Sequence, residues 1–197
     1  MYPLPRVDHW RGLLVLCLLL LGCQQALAAA LIQAKAWLAP VLIERAWEQT
    51  VSGDGRHVTP WPWADTWPVA RLRAPGAGVD LLVLTGDSGN ALAFGPGLAP
   101  YSDPPGERGV SVLAGHRDTH FAFLELVRAG DELEVQSIGG RVQRYQVEHA
   151  GVVDASREGI FIAGQAPSLL LVTCYPFDTI RVGGPLRYVV RAVPQRL

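Results

Sequence analysis

From Val69 onward the apolar residues arrive in short aliphatic runs bounded by glycine and proline. That rhythm restricts the body of the chain to β structure. The runs are VARLRAP at 69–75, VDLLVLTG at 79–86, VSVLAG at 110–115, DELEVQS at 131–137, SLLLVTC at 168–174 and LRYVVRAV at 186–193. Gly139-Gly140 supplies a hairpin turn from DELEVQS into RVQRYQVEHAGVV. Only FAFLELVR, at 121–128, suggests a short helix, and Gly95 to Gly109 is a loop rich in glycine and proline. Alternating βαβ units, sequence repeats, phosphate loops and heptads are absent. Seven or eight short strands with little helix predict an all-β barrel or sandwich.

Ahead of this body lies GLLVLCLLLLGC, Gly12 to Cys23, followed by QQALAAALI and preceded by Arg6 and Arg11. Three fates are open for it. Ala26-Leu27-Ala28 offers a signal-peptidase site. Leu20-Leu21-Gly22-Cys23 resembles a lipobox, which would lipidate Cys23. Residues 12–32 are also long enough to stay as a transmembrane anchor. The anchor is the favoured expectation, with N-terminal arginines inside and the body outside. All three fates place the body beyond the cytoplasm.

Between leader and body, QAKAWLAPVLIERAWEQT at 33–50 is helical in pattern, with Trp37, Val41, Leu42 and Trp47 near one face. It suits either a membrane-surface helix or one packed on the body. Pro40 predicts a kink. TPWPWADTWPV, at 59–69, has no period. Trp61, Trp63 and Trp67 would form a peptide- or glycan-binding platform or, the preferred expectation, turn inward as an extended wrap. The chain therefore divides into a signal or anchor (1–32), a helical and Trp/Pro-rich linker (33–68) and a β domain (69–197).

The net charge is −1, so no global field draws nucleic acid. Of three cysteines, Cys17 and Cys23 lie in the leader and leave Cys174 alone in the body. An exported domain with one thiol has no internal disulfide, and the odd cysteine is either a core filler or a reactive group. Its surroundings favour reactivity. LAGHRDTH, Leu113 to His120, puts His116 at a strand end, and Cys174 ends another strand 58 residues later. Arg187 follows after 13 more residues, inside the next strand. Thiol, imidazole and guanidinium on neighbouring strands fit acyl transfer. The thiolate attacks a carbonyl, the imidazolium protonates the leaving amine, and the guanidinium meets the oxyanion.

The strings LAGHRDTHFAFL and LVTCYPFDTIRVGGPLRYVV, with the leader and PWPWADTWPVARL, resemble the sortases, in particular those of Gram-negative bacteria. The resemblance implies an eight-stranded β-barrel with short helices behind an N-terminal membrane anchor. It implies a cysteine transpeptidase with Cys174 as nucleophile, His116 as general acid and base, and Arg187 as the arginine at the oxyanion or substrate. Thr173 matches the position that helps shape the substrate site. Arg181 is the rival arginine, in a glycine-rich loop. Asp118 either orients His116 or starts the helix at Phe121. The implied substrate is an exported protein with an LPxTG-type C-terminal sorting signal, resolved by an amine or by water, with no cofactor. Three rivals stand beside this. One is a zinc-binding protein using His116, Asp118, His120 and Cys174. Another is an L,D-transpeptidase, against which Val172-Thr173-Cys174 replaces the usual S-x-G-C. The third is a non-catalytic surface-binding domain built on the tryptophans.

Overall fold

The computed structural model describes residues 9–53, 56–87, 89–107, 109–157, 166–179 and 183–195. The chain forms two compact units, residues 1–41 and 42–197.

The first unit is helical. Helix α1 (His9–Ser52) begins in it and contains Pro40 without interruption of the helix assignment. It is long and apolar enough to cross a membrane. At about 1.5 Å per residue a helix of this length is roughly twice as long as a bilayer's hydrocarbon core is thick. Leu13, Leu14, Leu18 to Leu21 and Trp37 are all exposed.

The second unit opens with the last turns of α1. Ile43, Ala46, Trp47 and Thr50 are buried, a helical stripe. Of the expected set Trp37, Val41, Leu42 and Trp47, only Trp47 is buried. Thr50 closes the helix: its hydroxyl donates to the Ala46 carbonyl at 2.8 Å and accepts from the Val58 N–H at 3.1 Å. The Trp/Pro segment follows. Trp67 stacks on His57 at 4.4 Å, and Trp61 packs edge-on to Phe94 at 5.4 Å. Trp63 is 83% exposed, contrary to the inward wrap, because the chain turns back at 61–64 through an Ala64 N–H to Trp61 carbonyl bond.

Eight strands form the body: β1 (Pro68–Ala74), β2 (Val79–Thr85), β3 (Gly97–Leu98), β4 (Val110–Ala114), β5 (Glu132–Ser137), β6 (Val142–Asp154), β7 (Ser168–Cys174) and β8 (Leu186–Pro194). They close into a barrel in the order β1-β2-β3-β4-β7-β8-β6-β5, the all-β architecture expected. The eighth strand, β3, lies in the segment expected as loop. With two residues it has no periodicity to read, yet it bridges β2 and β4.

Alternation builds the interior. In β1, Ala70, Leu72 and Ala74 point inward and Arg71 and Arg73 outward, where both pair with Asp80. Arg71 also reaches Glu44 of α1 at 2.6 Å. Strand β7 is buried on both faces. Leu169 and Leu171 join the barrel core, while Leu170 and Val172 pack outside with Val110 and Val112. Two-sided burial is what a strand paired in parallel requires, and it makes β7 a firm mount for its last residue. The expected helix at 121–128 is a 3₁₀ turn, Ala122–Glu125. Its buried residues Phe121, Leu124 and Val127 recur every third position, the period of a 3₁₀ turn.

Candidate active site

Strands β4 and β7 run parallel in a constant register, from Val110 opposite Ser168 to Ala114 opposite Val172. Each pair differs by 58 (168 − 110 and 172 − 114). Past the last rung the backbones stay joined. The Gly115 N–H donates to the Val172 carbonyl at 3.1 Å, and the Thr173 hydroxyl donates to the Gly115 carbonyl at 2.7 Å. The same offset carried two residues past the last rung would set His116 level with Cys174. On the other side of β7, Cys174 is the antiparallel partner of Arg187. Directly opposite residues have Cβ atoms about 4.5–5.5 Å apart. Three consecutive strands of the barrel thus deliver the three residues to one rim, with His116 exposed and Cys174 and Arg187 partly so.

The local sequence explains how His116 is held. Phe121 is fully buried, and a Cβ on Gly115 would lie 2.7 Å from its ring, so only glycine fits before the histidine. The Phe121 N–H returns to the His116 carbonyl at 2.9 Å, closing a tight turn whose anchor is that ring. Thr173 is 2% exposed and spends its hydroxyl on the Gly115 carbonyl, so its influence on the site runs through the backbone that carries His116. Arg187 turns its guanidinium to the Gly184 and Leu186 carbonyls, at 2.7 and 2.9 Å. Asp118 is exposed, and the 3₁₀ turn after it has Phe121 as its cap residue with no side-chain cap bond, so the helix-starting role expected of Asp118 is not present. His120 is half-buried. Burial, and then the nearby His116, hold its pKa below the usual histidine value. Among the described residues no group of three or more His, Cys, Asp and Glu is placed to hold a metal ion. The rival Arg181 lies outside the described residues.

Two features escaped the sequence reading. Arg117, next to the histidine, donates from Nη2 to the Thr179 carbonyl at 2.8 Å, strapping the segment after Cys174 to the His116 turn. Tyr175, Phe177 and Tyr188 form a ring cluster beside Cys174, with centroids 5.2 to 6.3 Å apart. The YPF triplet following the cysteine was the visible signal.

The buried Thr173 bond yields a prediction. Valine keeps the shape but strands the Gly115 carbonyl, a loss of about 1–3 kcal/mol. Thr173→Val should lower the unfolding midpoint and reduce turnover. Thr173→Ser, which keeps the donor, should restore turnover. Equal turnover in the valine and serine variants would mean that the bond does not position His116.

Comparison with known proteins identifies the fold and the family. Residues 72–195 match the Sortase domain family. Sortase D of Bacillus subtilis (strain 168) is 31% identical over 120 residues, which span 60% of this chain and 60% of that relative. Among solved structures, sortase C-1 from Actinomyces oris is 27% identical with a TM-score of 0.57, covering 66% of this chain and 76% of its own. A Clostridium perfringens Sortase D5 transpeptidase reaches a TM-score of 0.65 at 17% identity, covering 81% and 99%. Sortase A from Corynebacterium diphtheriae reaches 0.60 at 22%, covering 87% and 86%. The last two are likenesses of fold. With the family matched over more than half of its length and the barrel recurring in these solved structures, the chain belongs to the sortase family.

Proposed function

We propose that the protein is a membrane-anchored cysteine transpeptidase acting on exported proteins with an LPxTG-type C-terminal sorting signal. The single observation that carries this is the shared register: Cys174 opposite Arg187, and the offset of 58 that brings His116 alongside Cys174. The Cys174 thiolate attacks the carbonyl of the signal's threonine, forming a C–S bond. His116, as imidazolium, gives its proton to the departing amine, and the peptide C–N bond breaks. The acyl group stays on Cys174 as a thioester. An incoming amine then attacks the same carbon, gives a proton to His116 and expels the thiolate; water in its place gives hydrolysis. Arg187 exchanges the Gly184 and Leu186 carbonyls for the oxyanion or the substrate backbone as the peptide arrives.

In this proposal residues 1–32 remain as the anchor in the inner membrane, 33–68 connect it to the surface, and 69–197 work on the periplasmic side, as in the sortases of Gram-negative bacteria. Support comes from the exposed apolar length of α1 and from Arg6 and Arg11 ahead of its apolar run. The test is to incubate the protein with a panel of LPxTG-type peptides and an amine and to weigh the products. Cleavage after threonine and a ligated product support the proposal; an intact panel contradicts it.

The zinc alternative makes a separate prediction. A Cys-His-Arg site keeps its turnover in chelator, and the purified protein carries no stoichiometric zinc. Zinc near one per chain, with turnover lost on its removal, would favour the metal site.

A further inference from the structure

A cavity of about 310 Å³ lies between the start of β2 and the turn that carries His116. Gly78, Val79 and Leu81 line one side, and Thr119, His120 and Phe123 the other. Its size is at the lower end of the small-molecule range, about 300–1,000 Å³. Strand directions put it at the same barrel end as the candidate active site. Strand β2 runs parallel to β3, and β3 antiparallel to β4: Leu84, Gly97 and Ala114 are level, and β2 begins five residues beyond that level, on the side toward which β4 leads into the His116 turn. The cavity therefore lies toward the barrel end at which β4 and β7 finish, and two of its residues, Thr119 and His120, belong to the His116 turn itself.

We infer that this cavity holds the body of the amine that resolves the Cys174 thioester. The inference rests on the transpeptidase reading above and adds where the second substrate binds. Proton traffic decides which substrate belongs there. The departing amine takes its proton from His116, and the arriving amine must give one back to the same ring. Both amines therefore approach from the His116 side of the thioester, while the acyl portion stays over Cys174. A hollow built into the His116 turn is placed for the amine side.

The lining specifies the ligand class. Val79, Leu81 and Phe123 are apolar, and Thr119 offers a hydroxyl. Burial, and then the nearby His116, hold the His120 pKa below the usual histidine value, which disfavours a second positive charge beside an ammonium group. Asp80 also lines the cavity, but it is already paired with Arg71 and Arg73, and Arg71 with Glu44, so these two cations and two anions balance. The site suits a primary amine on a small, uncharged, peptide-like body. In the transfer step the amine nitrogen forms the new C–N bond, the C–S bond breaks, one amine proton passes to His116, and Cys174 leaves as thiolate.

The test is a partition measurement on the full chain. Transfer and hydrolysis drain one thioester, so their ratio cancels any change in how fast the thioester forms. Two probes are compared: diglycinamide, which has a body for the cavity, and hydroxylamine, which has none. Val79→Trp plugs the cavity, and Thr119→Val removes the hydroxyl at equal size. Val79→Trp is expected to cut the diglycinamide ratio by about 10-fold or more, as the loss of a pocket contact does, while the hydroxylamine ratio holds. Thr119→Val should shift the diglycinamide ratio in the same direction by less. A diglycinamide ratio unchanged in both variants, or a fall shared by both probes, overturns the site. Wild-type protein that only hydrolyses overturns it too and leaves the Cys174 thioester standing. Wild-type protein that forms no thioester overturns the transpeptidase reading itself, and this site with it.

Discussion

Cys174→Ala should release no cleaved peptide and no ligated product above background, and should form no covalent adduct. The thiol is the only one outside the apolar N-terminal segment, since Cys17 and Cys23 both lie in α1 and are exposed there. The residue before it, Thr173, cannot replace it, because it is buried with its hydroxyl committed to the Gly115 carbonyl. Removing the attacking atom removes the covalent path altogether rather than slowing it. The measurement is product mass after prolonged incubation with a sorting peptide and an amine. Cleavage at the wild-type rate in the alanine variant would eliminate the cysteine mechanism. The variant should fold normally, because the cysteine is partly exposed at the end of β7 and its removal leaves the two-sided packing of Leu169 to Val172 in place.

The second large effect separates two arginines. Loss of a donor that meets charge developing in the transition state costs about 100- to 1,000-fold in turnover. Arg187 stands opposite Cys174 in the ladder, and a strand position fixes a side chain better than a loop does. Arg187→Ala and Arg187→Lys should therefore both fall steeply in turnover, since lysine keeps the charge but loses the planar fork. Arg181→Ala should lose far less, mostly in apparent affinity. The guanidinium of Arg187 rests on two backbone carbonyls of its own segment, at 2.7 and 2.9 Å. Those contacts are replaceable by a substrate oxygen, and their loss in the alanine variant should be visible as a modest drop in melting temperature. A dead Arg181→Ala beside a near-normal Arg187→Ala would reverse the assignment and give the role to Arg181.

The barrel was legible because its strands alternate or are continuously aliphatic. DELEVQS became β5, SLLLVTC became β7 and LRYVVRAV lies within β8, each within a residue or two of its expected bounds. What was not legible is what has no period. Strand β3 is two residues long and is defined by its neighbours, through Leu84 to Gly97 on one side and Gly97 to Ala114 on the other. The run at 121–128 contains good helix formers, but burial of Phe121, Leu124 and Val127 under the barrel imposed a three-residue period on it. Trp63 turned outward because a backbone turn, invisible in a count of tryptophans, reverses the chain at 61–64.

The candidate site was legible in its residues and not in its supports. Motif spacing pointed to His116, Cys174 and Arg187, and the β4/β7 offset and the β7/β8 rung bring those positions to one rim. That Gly115 must be glycine follows only from where the Phe121 ring lies. The Arg117 to Thr179 strap joins residues 62 apart and has no local signature. The role of Thr173 in tying β4 to β7 likewise needs the partner strand to be seen.

The central claim is a covalent acyl-enzyme on one named sulfur. Its most direct test is to mix the protein with an LPxTG-type peptide and no added amine, quench in acid within the first turnover, and map the digested protein by mass. The account predicts one new adduct, on the peptide containing Cys174, with the mass of the signal's acyl half through its threonine, and its disappearance when amine is added. Steady cleavage of the peptide with Cys174 never modified would contradict it.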